Sequence, residues 1–255
     1  MPDTVSLIAL TTLPLVRPGD DLALLLAAAI QQEVGQLAPS DVLVVAQKII
    51  SKAEDRYVDL AGIEPGTDAL FLAEETGKDP RLVQVILDDS RRVVRHRTGV
   101  LIVEHRLGFV MANAGIDRSN IDATEGAEPV LLLPIDPDAS AAALRNELGK
   151  RLGIAPAVIV SDSFGRAWRR GTAGIAIGAA GLPALVDKRG QPDLYDRALR
   201  VTEIGFADEI AAAASLLMGQ ADEATPAVLI RGLTWSAAET PASALIRAAD
   251  EDLFR

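Results

Sequence analysis

Ala157-Val-Ile-Val-Ser-Asp-Ser-Phe-Gly-Arg-Ala-Trp-Arg-Arg-Gly-Thr172 joins an apolar, β-branched run to a dense set of polar groups. Val158-Ile159-Val160 reads as a buried strand. The strand is expected to end at Ser161, Asp162 and Ser163, with Gly165 permitting a sharp turn before Arg166, Arg169 and Arg170. A carboxylate and a hydroxyl at a strand end are hard oxygen ligands of the kind Mg²⁺ and Mn²⁺ prefer. Guanidinium forks suit phosphate. The stretch therefore reads as a site for a metal-bound phosphate compound. A helix cap followed by a solvated basic face is the bland reading of the same residues. Trp168 reads as a packing residue.

Working outward, Asp136-Pro-Asp-Ala-Ser140 predicts a capped helix that runs to about Gly153 and leads into this strand. Gly171 to Gly181 is rich in Gly and Ala, which permits close backbone approach. A second buried strand is expected over Val42 to Ala46, followed by polar Gln47, Ser51 and Lys52. Further strands are expected at Val5 to Leu10, Val100 to Glu104, Phe109 to Ala112, Val130 to Leu133, Val201 to Phe206 and Ala227 to Ile230. Helices are expected from Asp20 or Asp21 to about Leu37, over Thr67 to Gly77, Arg81 to Ser90 and Asp208 to Met218. Arg91 to His96 fits neither period cleanly. The loop Asn113 to Asn120 carries Asp117, a second carboxylate that would complete a metal site with Asp162; an Asx turn is the alternative. His96 and His105 read as structural or exposed. Mixed α/β architecture follows, with ligands gathered at strand ends.

Composition bounds the function. The 255 residues suit one domain, expected over 1–255 with a core of about 6–235 and a tail of 236–255. A formal net charge of −11 argues against a nucleic-acid partner. No apolar run is long enough for a membrane span, and no signal-peptide pattern opens the chain, which fits a cytoplasmic protein. Zero cysteines exclude disulfides and thiolate metal sites. Neither a G-x-x-x-x-G-K-[ST] nor a G-x-G-x-x-G stretch occurs, so P-loop and Rossmann sites are unsupported.

Leu13-Pro-Leu-Val-Arg-Pro-Gly-Asp-Asp-Leu22, Gln47-Lys-Ile-Ile-Ser-Lys-Ala-Glu54, Ala114-Gly-Ile-Asp-Arg-Ser-Asn120, Leu133-Pro-Ile-Asp-Pro-Asp-Ala-Ser140, Ser161-Asp-Ser-Phe-Gly-Arg-Ala-Trp-Arg-Arg170, Ala207-Asp-Glu-Ile-Ala-Ala-Ala-Ala214 and Val228-Leu-Ile-Arg-Gly232 follow one another in this order. The set resembles the coenzyme F-420 γ-glutamyl ligase family from about residue 6 onward. The resemblance implies GTP-dependent addition of L-glutamate to the lactyl carboxylate of an unglutamylated deazaflavin coenzyme. Further glutamate is then joined through a γ-linkage, with an acyl phosphate as the activated species. It implies Mg²⁺ or Mn²⁺ at two sites, K⁺, and an interlocked homodimer.

Carried over by position, Asp117 and Asp162 look like ligands of one metal and Ser163 of a second, with Gln220 where some relatives place a Glu ligand. Asp117, Asp162 and Arg166 are the residues expected to carry the chemistry. Leu13, Pro14, Leu15, Val16, Gln47, Lys52 and Asn120 look like nucleotide contacts. Met218, Gly219, Gln220, Ala221, Asp222, Glu223, Ala224 and Thr225 look like a segment closing over the nucleotide. Some relatives carry a flavin-binding domain after the ligase domain; the chain ends at Arg255, so no flavin is expected. The alternatives are another metal-dependent, nucleotide-driven ligase, a phosphatase, or a non-catalytic nucleotide- or deazaflavin-binding protein.

Overall fold

The computed structural model describes residues 4–121 and 127–253. The extreme ends of the expected 1–255 span lie outside the described residues. In chain order the elements are β1 (Ser6–Ala9), α1 (Leu22–Glu33), β2 (Val42–Ala46), α2 (Gln47–Ala53), β3 (Tyr57–Asp59), α3 (Thr67–Thr76), α4 (Pro80–Asp88), β4 (Ser90–Arg97), β5 (Val100–His105), β6 (Val110–Ala112), β7 (Pro129–Leu131), α5 (Pro137–Leu152), β8 (Ala157–Gly165), β9 (Thr172–Ala180), β10 (Val186–Asp187), β11 (Glu203–Ile204), α6 (Phe206–Met218) and β12 (Ala227–Arg231). The architecture is mixed α/β.

A five-stranded sheet in the order β1-β12-β2-β8-β9 forms the centre. β2 and β8 are parallel, with Val42 opposite Ala157 and Ala46 opposite Ser161; the other pairings in this sheet are antiparallel. Its inner strands are continuous apolar runs because both faces are covered. Leu43, Val45, Val158, Val160 and Leu229 point into one core with α1, α2 and α5. Their neighbours Val42, Val44, Ile159, Val228 and Ile230 point into the other, under α6. A third core lies within the excursion between α2 and α5, where α3 and α4 cover the β4-β5-β6 sheet.

Local chemistry explains the helix ends. The Asp21 carboxylate accepts the amide of Leu24 at 2.9 Å and opens α1; Asp136 does the same for Ala139 at 3.0 Å and opens α5. Gly153 closes α5 in the left-handed conformation. The Gly/Ala-rich segment is β9, and its glycines let helices approach from both faces. A Cβ on Gly178 would stand 2.2 Å from the carbonyl oxygen of Pro137, and one on Gly174 would stand 2.5 Å from that of Ala211.

β9 is also an edge strand, and helix carboxylates occupy two of its amides. Asp208 of α6 accepts Ala176 N at 2.8 Å. Asp138 of α5 accepts Ala179 N at 2.8 Å, together with Ala242 N and Ser243 N of the C-terminal segment.

Several expectations are corrected. β8 does not end at Ser161; it runs through Asp162 and Ser163 to Gly165, paired with Thr172–Ile175. The turn follows Gly165 and leaves Trp168 89% exposed at φ 64°, so Trp168 does not pack. Gln47 opens a helix that the polar residues after Ala46 did not announce, and Ser90–Arg97 is a strand. The tail holds a 3₁₀ turn at Ala242–Leu245 and no α-helix among the described residues. His105 is buried between Asp89 and the amide of Leu107, and His96 is exposed, as expected.

Candidate active site

The register brings four chain segments to one end of the central sheet. β2 stops at Ala46 beside Ser161 of β8, and Ala46 N donates to Pro226 O at 2.8 Å. Leu10 N, just past β1, donates to Ala227 O at 2.9 Å. The segments 11–16, 218–226, the start of α2 and Ser161–Ser163 therefore share one rim. Asp117 joins them from the excursion, held by backbone bonds to Leu131 in both directions at 2.9 and 3.0 Å.

Gln47 is the hinge of the arrangement. Its buried amide donates through Nε2 to Asp117 Oδ2 at 2.7 Å and accepts Ser51 Oγ at 2.9 Å through Oε1. Lys48 Nζ stands 3.4 Å from Asp117 Oδ1 and donates to Ser119 O at 3.1 Å. Asp162 accepts a local bond, from Ser163 N at 2.7 Å.

Burial pushes the Asp162 carboxyl up to about 7; the nearby Asp117 charge adds to the rise, and Ser163 N and Lys48 oppose it. Burial also raises Asp117, against the pull of Lys48, Gln47 and Lys52. Two adjacent carboxylates that resist ionising together form a coupled pair. Such a pair is relieved by a cation between them, and Ser163 adds a hydroxyl oxygen. The residues fit a divalent ion.

The other expected residues fall as follows. Asn120 Nδ2 donates to Ala221 O at 2.8 Å, which ties the Asp117 loop to the 218–225 loop. In that loop Glu223 folds back, its carboxylate accepting Ala221 N at 2.8 Å over Gly219. Gln220 and Asp222 are exposed. Thr11 and Thr12 anchor the start of the 11–16 segment on Glu33, whose carboxyl is held low by four bonds from these two residues despite partial burial. Val16 is buried, Leu13 is half-buried, and Pro14 and Leu15 are exposed. Lys52 lies close enough to Asp117 to act on its charge. Arg166, Arg169 and Arg170 are exposed on the β8–β9 turn, past the end of the strand that carries Asp162.

Lys48 was missed by sequence reading. It belongs to the same strand-end segment as Gln47 and Lys52, and only the fold of the Asp117 loop singles it out. Among the described residues no group of three or more His, Cys, Asp or Glu side chains clusters as a metal site. The pair Asp117 and Asp162 with Ser163 stands below that size.

Fold and site define a mixed α/β protein with a coupled carboxylate pair, lysine-flanked, at the end of a parallel strand pair. The model of the F420-0:Gamma-glutamyl ligase family matches residues 11–232. The chain belongs to that family. It is similar to the coenzyme F420:L-glutamate ligase of Methanothermobacter thermautotrophicus, at 45% identity over 98% of this chain and 99% of the relative. It is 48% identical to that of Methanopyrus kandleri, over 94% of this chain and 93% of the relative. Against that of Methanocaldococcus jannaschii the identity is 44%, over 84% of each. No helix among the described residues is long and apolar enough to cross a membrane.

Proposed function

We propose that this protein is a coenzyme F420:L-glutamate ligase that uses GTP and joins L-glutamate to the free carboxylate of the unglutamylated deazaflavin coenzyme, then extends it by γ-linkage. The observation that carries the reading is the Asp117–Asp162 pair, each half-buried, flanked by Lys48 and Lys52, in a chain of this family. Activating a carboxylate through an acyl phosphate needs charge neutralised around a transferring phosphoryl group more than it needs a protein nucleophile. Mg²⁺ or Mn²⁺ held by Asp117, Asp162 and Ser163, with Gln220 able to add an amide oxygen, would supply that neutralisation.

The protein's own groups do the rest. Gln47 fixes the Asp117 carboxylate by a bond at 2.7 Å and is itself fixed by Ser51. Lys48 ties Asp117 to the backbone at Ser119 and brings positive charge to the rim. The 218–225 loop, linked to the Asp117 loop through Asn120 and Ala221, and the 13–16 segment form the side where GTP binds. Arg166 reaches phosphate from the β8–β9 turn. K⁺ as activator, a homodimer and a single domain over 1–255 complete the reading.

The experiment is mass spectrometry of a reaction containing the unglutamylated coenzyme, L-glutamate, GTP, Mn²⁺ and K⁺. Product heavier by one or more glutamyl units is expected, with GTP consumed only when both acceptor and glutamate are present. Folded protein giving no mass shift beside an active control enzyme would reject the ligase assignment.

A further inference from the structure

A cleft of about 410 Å³ opens on the sheet face that Asp162 shares. Leu107, Phe109, Ile135, Ile177 and Ile246 supply its apolar walls. Two contacts fix its position relative to the carboxylate pair. Phe109 meets Phe164 edge to face, with ring centroids 5.8 Å apart, and Phe164 lies two residues beyond Asp162 on the same face of β8. Ile177 is two residues along β9 from Ile175, the cross-strand partner of Asp162.

Sheet order separates this cleft from the rim loops. The 11–16 and 218–226 segments stand over β1, β12 and β2, on one side of β8; the cleft stands over β9, on the other. Asp162 lies between them. A ligase needs this division, because the phosphate donor and the acceptor carboxylate must approach one centre from different sides.

The lining selects among the substrates. Asp136 and Asp138 line the cleft, and carboxylates there disfavour a triphosphate or free glutamate. Apolar side chains and an aromatic edge suit a flat, uncharged ring, and the volume falls in the usual range for small-molecule sites. Arg106, just before Leu107, donates to Asp89 Oδ1 at 2.6 Å and to Ile135 O at 3.2 Å, and so fixes the Ile135 wall of the cleft.

Resting on the ligase reading, we propose that this cleft holds the deazaflavin ring of the acceptor, with its carboxylate tail directed to Asp162. Ile135 and Ser243, both exposed, line the cleft, so a charge at either should enter it without disturbing a core. The test is a fluorescence titration of the unglutamylated deazaflavin against wild type, Ile135→Glu and Ser243→Glu, with steady-state kinetics and melting curves. At least a tenfold rise in Kd and KM for the deazaflavin in each variant is expected, with KM for GTP and for glutamate within twofold. Wild-type turnover with unaltered Kd in a folded variant would overturn the cleft assignment alone. Absence of product from wild type as well would overturn the ligase reading and this one with it.

Discussion

Replacing Asp162 with Asn should make the metal-free protein more stable while making the enzyme worse. A carboxyl raised from 3.8 to about 7 carries a penalty of about 4 kcal/mol when it ionises in the fold, at 1.36 kcal/mol per unit. Asn keeps the Oδ1 that accepts Ser163 N at 2.7 Å and removes the charge. Water penetration and relaxation reduce the gain, so about 2–4 kcal/mol is the working figure, or roughly 4–16 °C in Tm for a chain of this size. The sign in pH is set by the direction of the shift. Below 3.8 the carboxyl is protonated in both states and the penalty is absent. It grows as pH rises through the window to about 7, because the unfolded chain ionises first, and is complete above it.

The assay is differential scanning calorimetry of wild type and Asp162→Asn in EDTA at pH 4, 6 and 8. The Tm advantage of the variant should be smallest at pH 4 and largest at pH 8. Adding Mn²⁺ at pH 8 should raise the wild-type Tm and leave the variant nearly unmoved. Ligase turnover of the variant should fall at least tenfold. No gain at pH 8, or a gain independent of pH, would refute the reasoning that Asp162 is held in an environment hostile to its own charge.

Lys48→Met removes the ammonium 3.4 Å from Asp117 and should lower kcat/KM at least tenfold at saturating metal, about 1.4 kcal/mol, read from initial rates. Asn120→Ala cuts the 2.8 Å bond to Ala221 O and loosens the 218–225 loop; KM for GTP should rise at least threefold, with a smaller change in KM for glutamate. Arg231→Met strands the fully buried Asp41, which now accepts two guanidinium bonds at 2.9 and 2.6 Å; a loss of about 3 kcal/mol should appear in urea unfolding.

Much of the fold was legible because the inner strands are buried on both faces and so read as unbroken apolar runs. Val42–Ala46 and Val158–Val160 are of this kind. Capped helices were equally plain, as at Asp21 and Asp136. The reading stopped β8 too early because Ser161, Asp162 and Ser163 are poor strand formers on their own. Antiparallel pairing with β9 overrides that preference. α2 was missed because seven residues are too few for a helical period to declare itself. Ser90–Arg97 was unclear since its arginines face solvent and only Val93 and Val94 speak for burial.

The carboxylates Asp117 and Asp162 could be nominated by residue type, yet their coupling could not. It depends on Ala46 standing beside Ser161 and on Gln47 reaching across 70 positions to Asp117, and such pairings are set by the whole chain. Lys48 went unnoticed for the same reason.

The carboxylates on the outer amides of β9 bear on how copies of this chain can assemble. An open sheet edge is a template for another strand, whether in a dimer or an aggregate. Here Asp208 from one helix and Asp138 from another already take the hydrogens of Ala176 and Ala179 that a new strand would need. A neighbour therefore cannot continue the central sheet across that stretch without first dislodging a helix. A copy meeting this edge is left with side-chain surfaces and the paired ends of β8 and β9, where the ribbon extends past β2. The two carboxylates thus guard the β9 edge of the central sheet against strand addition.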